Sequence, residues 1–154
     1  MQIVRYIQIP RGLSGPCSGA GRVGRRAPML EFVLVLGLAS MGCGKSGIAD
    51  EVNAFKGSGQ TVSGFADTDP SSFGAKKCQT GTVDRLSVLL CEYASSDSAA
   101  GGQAAAETWG AETATVVVLR RGSMLFAVAD RDHADPDGKT ISALSKVFRR
   151  TKGR

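Results

Sequence analysis

The hydrophobic positions of this chain fall into a few separated patterns. Residues 32–38 form an unbroken apolar run, FVLVLGL, and small or apolar residues carry it on to Cys43. Ile48, Val52 and Phe55 then recur at the i, i+4, i+7 spacing of a helix face, which predicts a short helix over residues 48–56. Residues 62–65 read as a short extended piece between two breaker clusters, GSGQ at 57–60 and TDPSS at 68–72. Residues 43–74 are therefore expected to be mostly tether, with the folded part beginning near Ala75.

Residues 82–93, TVDRLSVLLCEY, make the strongest core segment. Leu86, Val88 and Leu90 alternate with Ser87, Leu89 and Cys91, the pattern of a strand buried on both sides, while Leu86, Leu89, Leu90 and Tyr93 also fit a helix face. Residues 98–108 are Ala-rich and predict a helix across Gly101 and Gly102, capped by Asp97 or Ser98. Trp109 near its end reads as a packing anchor. Two further strands, at 113–120 and 124–129, are joined by three residues, a link that permits only antiparallel pairing. Val116, Val118, Leu125 and Ala127 are their candidate core positions. Ile141, Leu144, Ser145 and Phe148 place an apolar stripe on a closing helix over 137–150. Asp135 before Pro136 reads as its cap, with proline at the first helical position.

These elements give the order strand–helix–strand–strand–helix over residues 75–150. The expected fold is a small α+β domain, an antiparallel sheet with helices packed on one face, ending in a basic tail at 151–154. The chain's 154 residues suit one such domain plus a leader.

Charge changes the picture of the first part. Residues 1–42 hold five arginines against the single acid Glu31, whereas from Cys43 onward 14 Lys and Arg face 13 Asp and Glu. The basicity of the whole chain, +5, therefore belongs mainly to the leader. A basic flank, an apolar stretch too short to span a bilayer and a small-residue exit describe a secretory signal. Residues 1–28 are long for such a flank and carry no durable periodicity. A start of translation at Val23 would leave a compact leader with Arg25 and Arg26, and a cellular peptide covering residues 1–11 would exclude it.

Ser40, Met41, Gly42 and Cys43, followed by Gly44, resemble the lipobox of bacterial lipoproteins. Gly42 and Cys43 match its last two positions, while Ser40 stands where that family usually has Leu. The resemblance covers about fifteen residues. It implies a diacylglyceryl thioether on Cys43, cleavage before it by signal peptidase II, and further N-acylation, commonly with palmitate. It also implies a protein anchored to the cell envelope and facing the periplasm or exterior, with no cofactor beyond the covalent lipid.

A rival reading uses the same stretch. Residues 39–46, ASMGCGKS, fit a relaxed phosphate loop behind an apolar strand and ahead of a helix. Gly44 would then help cradle phosphates, Lys45 would reach the outer ones and Ser46 would hold Mg²⁺. Residues 125–130, ending in Asp130, would be the strand with a metal-binding acid. Such a core needs repeated parallel crossovers, and the close pair of strands after residue 113 favours the lipobox.

With Cys17 in the leader and Cys43 acylated, Cys78 and Cys91 remain, and an even pair in an exported domain reads as a disulfide. Closing about 14 residues, it would contribute roughly 3 kcal/mol through loop entropy. Asp130, Asp132, Asp135 and Asp137 do not fit a calcium loop, which would place His133 at its first position and Leu144 at its twelfth. His133, the sole histidine, is expected to be solvated in this loop. Lys146, Arg149, Arg150, Lys152 and Arg154 gather positive charge at the end of the last helix, favourable to its dipole, with anionic lipid headgroups as the other possible partner. No nucleophile–base set and no interleaving of aromatic and basic residues is present, so neither catalysis nor nucleic-acid binding is indicated. The expectation is a non-catalytic binding or assembly module whose partners are the membrane and an unidentified envelope protein.

Overall fold

The computed structural model describes residues 47–113 and 115–151. The leader, Cys43, Gly44, Lys45, Ser46 and residues 152–154 lie outside the described residues. Among these residues the chain runs α1 (Ile48–Gly57), β1 (Val62–Thr68), β2 (Lys77–Val83), β3 (Leu86–Glu92), α2 (Ser96–Gly101), α3 (Gln103–Gly110), β4 (Val116–Arg121), β5 (Met124–Ala129) and α4 (Lys139–Arg150). A 3₁₀ turn at Ser71–Phe73 joins β1 to β2. The five strands form one sheet in the order β1-β2-β3-β5-β4, and every neighbouring pair is antiparallel. This is an α+β fold.

The folded part begins at α1, not near Ala75. Phe55 of α1 is fully buried, and β1 pairs with β2 along most of its length. The polar tether expected over 43–74 is, from Ile48 onward, a packed helix and an edge strand. Two elements missing from the expected order, β1 and β2, therefore extend the sheet on one side.

Helices cover both faces of the sheet, not one. Every residue of β5 is buried, and in β3 Leu86, Val88, Leu89, Leu90 and Cys91 are buried in near succession. Successive strand side chains point to opposite faces, so such strands expose two apolar surfaces, each of which must be covered. Leu86, Val88, Leu90, Phe126 and Val128 meet α1 and α4 through Phe55, Leu144 and Phe148. Leu89, Cys91, Leu125 and Ala127 meet α2 and α3 through Ala99 and Ala106. Phe126 lies between Phe55 and Phe148, with ring centroids 5.7 Å and 5.2 Å away. Burial of each such ring contributes about 1.5–3 kcal/mol.

The helix ends depart from expectation for local reasons. Ser95, not Asp97 or Ser98, caps α2, its side chain accepting the Ser98 N–H at 3.1 Å. The single Ala-rich helix is two, α2 and α3, divided at Gly102, which lies beneath the Tyr93 ring. α4 starts at Lys139, because residues 135–138 form a turn closed by the Gly138 N–H on the Asp135 carbonyl at 3.0 Å. Gly138, not Asp135, is thus the N-cap, and Pro136 lies in the turn ahead of the helix, although Asp135 Oδ2 accepts the Ile141 N–H at 2.8 Å across that turn.

Candidate functional site

Cys78 and Cys91 stand directly opposite each other on β2 and β3 and form a disulfide, with Cα atoms 4.2 Å apart. So short a spacing marks the close, non-hydrogen-bonded type of antiparallel pair, where facing side chains approach most nearly. Both cysteines are almost entirely buried beneath the α2–α3 side, alongside Leu89, Tyr93 and Leu125. Tyr93 donates its hydroxyl to the Phe73 carbonyl at 3.2 Å, and burial pushes its pKa up. The 3₁₀ turn is thereby held against the same cluster.

On the opposite face an ion pair sits between α1 and α4. Glu51 is fully buried and accepts a hydrogen bond from Arg121 at the end of β4. Arg121 also donates to the Phe148 carbonyl and lies 4.8 Å over the Phe148 ring. A cation thus meets both a carboxylate and the carbonyl end of α4, where the helix dipole is negative. Glu51 Oε2 is buried without a hydrogen-bond partner among the described residues. Burial raises the Glu51 pKa above its usual value, and Arg121 opposes that shift. Sequence reading missed this pair. Its signal was there, since Glu51 falls between Ile48 and Val52 on the apolar face of α1.

A cleft of about 360 Å³ lies at the β2–β3 turn, lined by Thr61, Ser63, Thr82, Asp84 and Arg85. Asp84 and Arg85, at φ 46° and 69°, both occupy the left-handed region. That places them at the centre of a two-residue hairpin turn of the kind matching strand twist. Asp84 is tied down, its Oδ1 accepting the Thr61 N–H at 2.8 Å and its own N–H reaching the Thr61 carbonyl at 2.9 Å. Arg85 has no Asn or Gly character to ease this conformation, and it is exposed.

The acidic loop after β5 is occupied with its own backbone. Asp130 is buried, and its two carboxylate oxygens accept the N–H groups of Ala134 and Asp135 at 2.7 and 3.0 Å. His133 is exposed in the left-handed region. Trp109 packs against the α2–α3 cluster, with the Arg131 guanidinium 5.1 Å over its ring and bonded to its carbonyl at 2.7 Å. Among the described residues no group of three or more His, Cys, Asp or Glu could share a metal ion, and no helix is long and apolar enough to cross a membrane.

Of the residues singled out from sequence, the structure joins Cys78 to Cys91. Cys43 and the trio Gly44, Lys45 and Ser46 lie outside the described residues. The fold and its linkages define a small disulfide-stapled α+β domain. Compared with known proteins, the chain matches no family model, no curated protein and no solved structure.

Proposed function

We propose that the chain is an exported lipoprotein of the cell envelope, anchored through lipid on Cys43, whose domain is a non-catalytic binding or assembly module. The carrying observation is the disulfide Cys78–Cys91, because such bonds form and persist in oxidising compartments outside the cytosol. It stands downstream of an apolar run and a lipobox-like Ser40–Cys43 stretch, and both features ask for the same journey. The phosphate-loop reading has less support. All strand pairs among the described residues are antiparallel, and the Asp130 carboxylate is taken up by its own loop.

The test is the full chain expressed with and without Cys43→Ala. The wild type is expected in the membrane fraction, shortened at its amino terminus and carrying a diacylglyceryl mass on Cys43. The variant is expected to remain unprocessed and unlipidated. An unmodified Cys43 in a full-length, cytosolic wild type overturns the reading. Nucleotide binding that disappears with Lys45→Ala would replace it.

A further inference from the structure

One end of the domain is cationic, and it is the end from which the chain runs back toward Cys43. The strand register places Lys77 opposite Glu92, Glu92 opposite Met124, and Met124 opposite Arg121. Arg121 in turn holds the last turn of α4 through the Phe148 carbonyl and the first turn of α1 through Glu51. Gly47, the first described residue, sits against the Glu92 carboxylate at this same end. α1 and α4 are thus antiparallel here, the start of one beside the finish of the other.

Lys146, Arg149 and Arg150 are all exposed on α4. Their i, i+3, i+4 spacing puts them on one helix face. Exposed Lys76 and Arg120 lie at the same end of the sheet. The acids nearby are partly engaged. Asp50 accepts the Gly47 N–H at 3.2 Å, and Asp67 pairs with Lys77 at 3.5 Å. The far end, about 20 Å away along β5, carries Asp84 and the acidic loop at residues 130–137. Arg85, Arg131 and Lys139 stand among those acids, Lys139 paired with Asp137 at 2.9 Å, so the far end is mixed in charge and the cations of α4 stand out by their shared helix face.

From these observations we propose that the face formed by Lys146, Arg149 and Arg150 docks on an anionic phospholipid surface, fixing the domain with its far end outward. The proposal rests on the anchored-lipoprotein reading and adds an orientation to it. Three residues separate Gly47 from Cys43, so the four Cα-to-Cα steps between them span at most about 14 Å when extended. The anchor therefore holds Gly47, and with it the end of the domain where α1 begins and α4 finishes, close to the headgroups. Proximity that an anchor has already supplied makes a weak contact effective. Each cation near an anionic surface strengthens association by about fivefold.

The test uses residues 43–154, the processed form on that reading, with Cys43→Ala so that neither lipid nor the basic leader is attached, sedimented with vesicles of phosphatidylcholine alone or mixed with phosphatidylglycerol. Lys146→Gln, Arg149→Gln and Arg150→Gln together should reduce the phosphatidylglycerol-dependent binding by about ten- to a hundredfold. Lys56→Gln, Arg85→Gln and Lys139→Gln, an equal charge loss elsewhere, should leave it close to the parent. Thermal melts of both variants confirm folding. Equal losses in the two variants, or no loss in the α4 variant, overturns the proposal. The mass of wild-type Cys43 reports on the anchor separately: an unmodified thiol removes the anchor reading even where the vesicle result holds.

Discussion

Glu51 and Arg121, 70 residues apart in sequence, meet on the α1–α4 side of the sheet and join three elements at one point. The carboxylate is fully buried, whereas the Arg121 side chain keeps 23% exposure. Arg121→Ala leaves a buried charge without its counter-ion, and the expected loss at neutral pH is about 2–4 kcal/mol, toward the lower end because the arginine is partly solvated. Urea unfolding monitored by circular dichroism measures it.

The same pair carries a pH signature. Burial holds Glu51 above the usual 4.5, so the folded state binds this proton more tightly than the unfolded chain does. The stability it contributes is complete below the ordinary carboxylate range and is lost as pH rises through the raised value. Glu51→Gln should flatten that part of the stability–pH curve. The deficit of Arg121→Ala should shrink as pH falls, because a protonated Glu51 no longer needs the cation. A deficit constant from neutral to mildly acidic pH would contradict this.

Removing the staple with Cys78→Ala and Cys91→Ala together should cost about 2–4 kcal/mol. Since the two cysteines have 1% and 0% exposure, reductant should act on the folded protein only through opening of the structure. Thiol labelling in reductant, with and without low urea, distinguishes slow, urea-accelerated reduction from direct attack.

Arg85 sits at φ 69°, a conformation costing a non-glycine L-residue about 1–2 kcal/mol. Arg85→Gly should therefore stabilise the domain by about 1 kcal/mol after glycine's entropy is charged against it. That corresponds to a rise of roughly 4–8 °C in Tm for a domain of this size. A lowered Tm would mean that the arginine makes a compensating contact.

Gly102 has no room for a side chain. A Cβ there would lie 1.9 Å from the Tyr93 hydroxyl oxygen, and that ring is buried and hydrogen-bonded to the Phe73 carbonyl. Gly102→Ala should destabilise by about 1–3 kcal/mol as an overpacked position. Gly101→Ala, with nothing within 4 Å, is the matched control and should be neutral or slightly stabilising.

The elements with strong periodicity were legible in the residues. α1 and α4 followed from apolar spacing, and the β4–β5 hairpin from its short link. β3 read correctly as a strand buried on both sides, and the partnership of Cys78 with Cys91 followed from cysteine number and the expected export. The same two-sided character of β3, and the six apolar letters of β5, also demanded helices on both faces, which an expectation of one-sided cover overlooked. β1 was not legible as a full strand for a physical reason. Its register slips between Ser63 and Ala66 around Gly64 at φ 65°, so burial recurs every third residue in place of every second. β2 was hidden because Gln79, Thr80, Gly81 and Thr82 lack apolar alternation, and the Phe65 ring covers Gly81 in place of a side chain. An acid on the apolar face of α1 was visible in the spacing, but its partner Arg121 was not, because that pairing depends on the proximity of residues 70 apart in sequence.

The slip at Gly64 also sets a limit on how copies of this molecule meet. A second chain laid along the outer margin of β1 would find donors and acceptors out of step with its own, which is how natural edges discourage further pairing. Molecules crowded together would thus have no continuous seam on that side along which to grow into a ribbon.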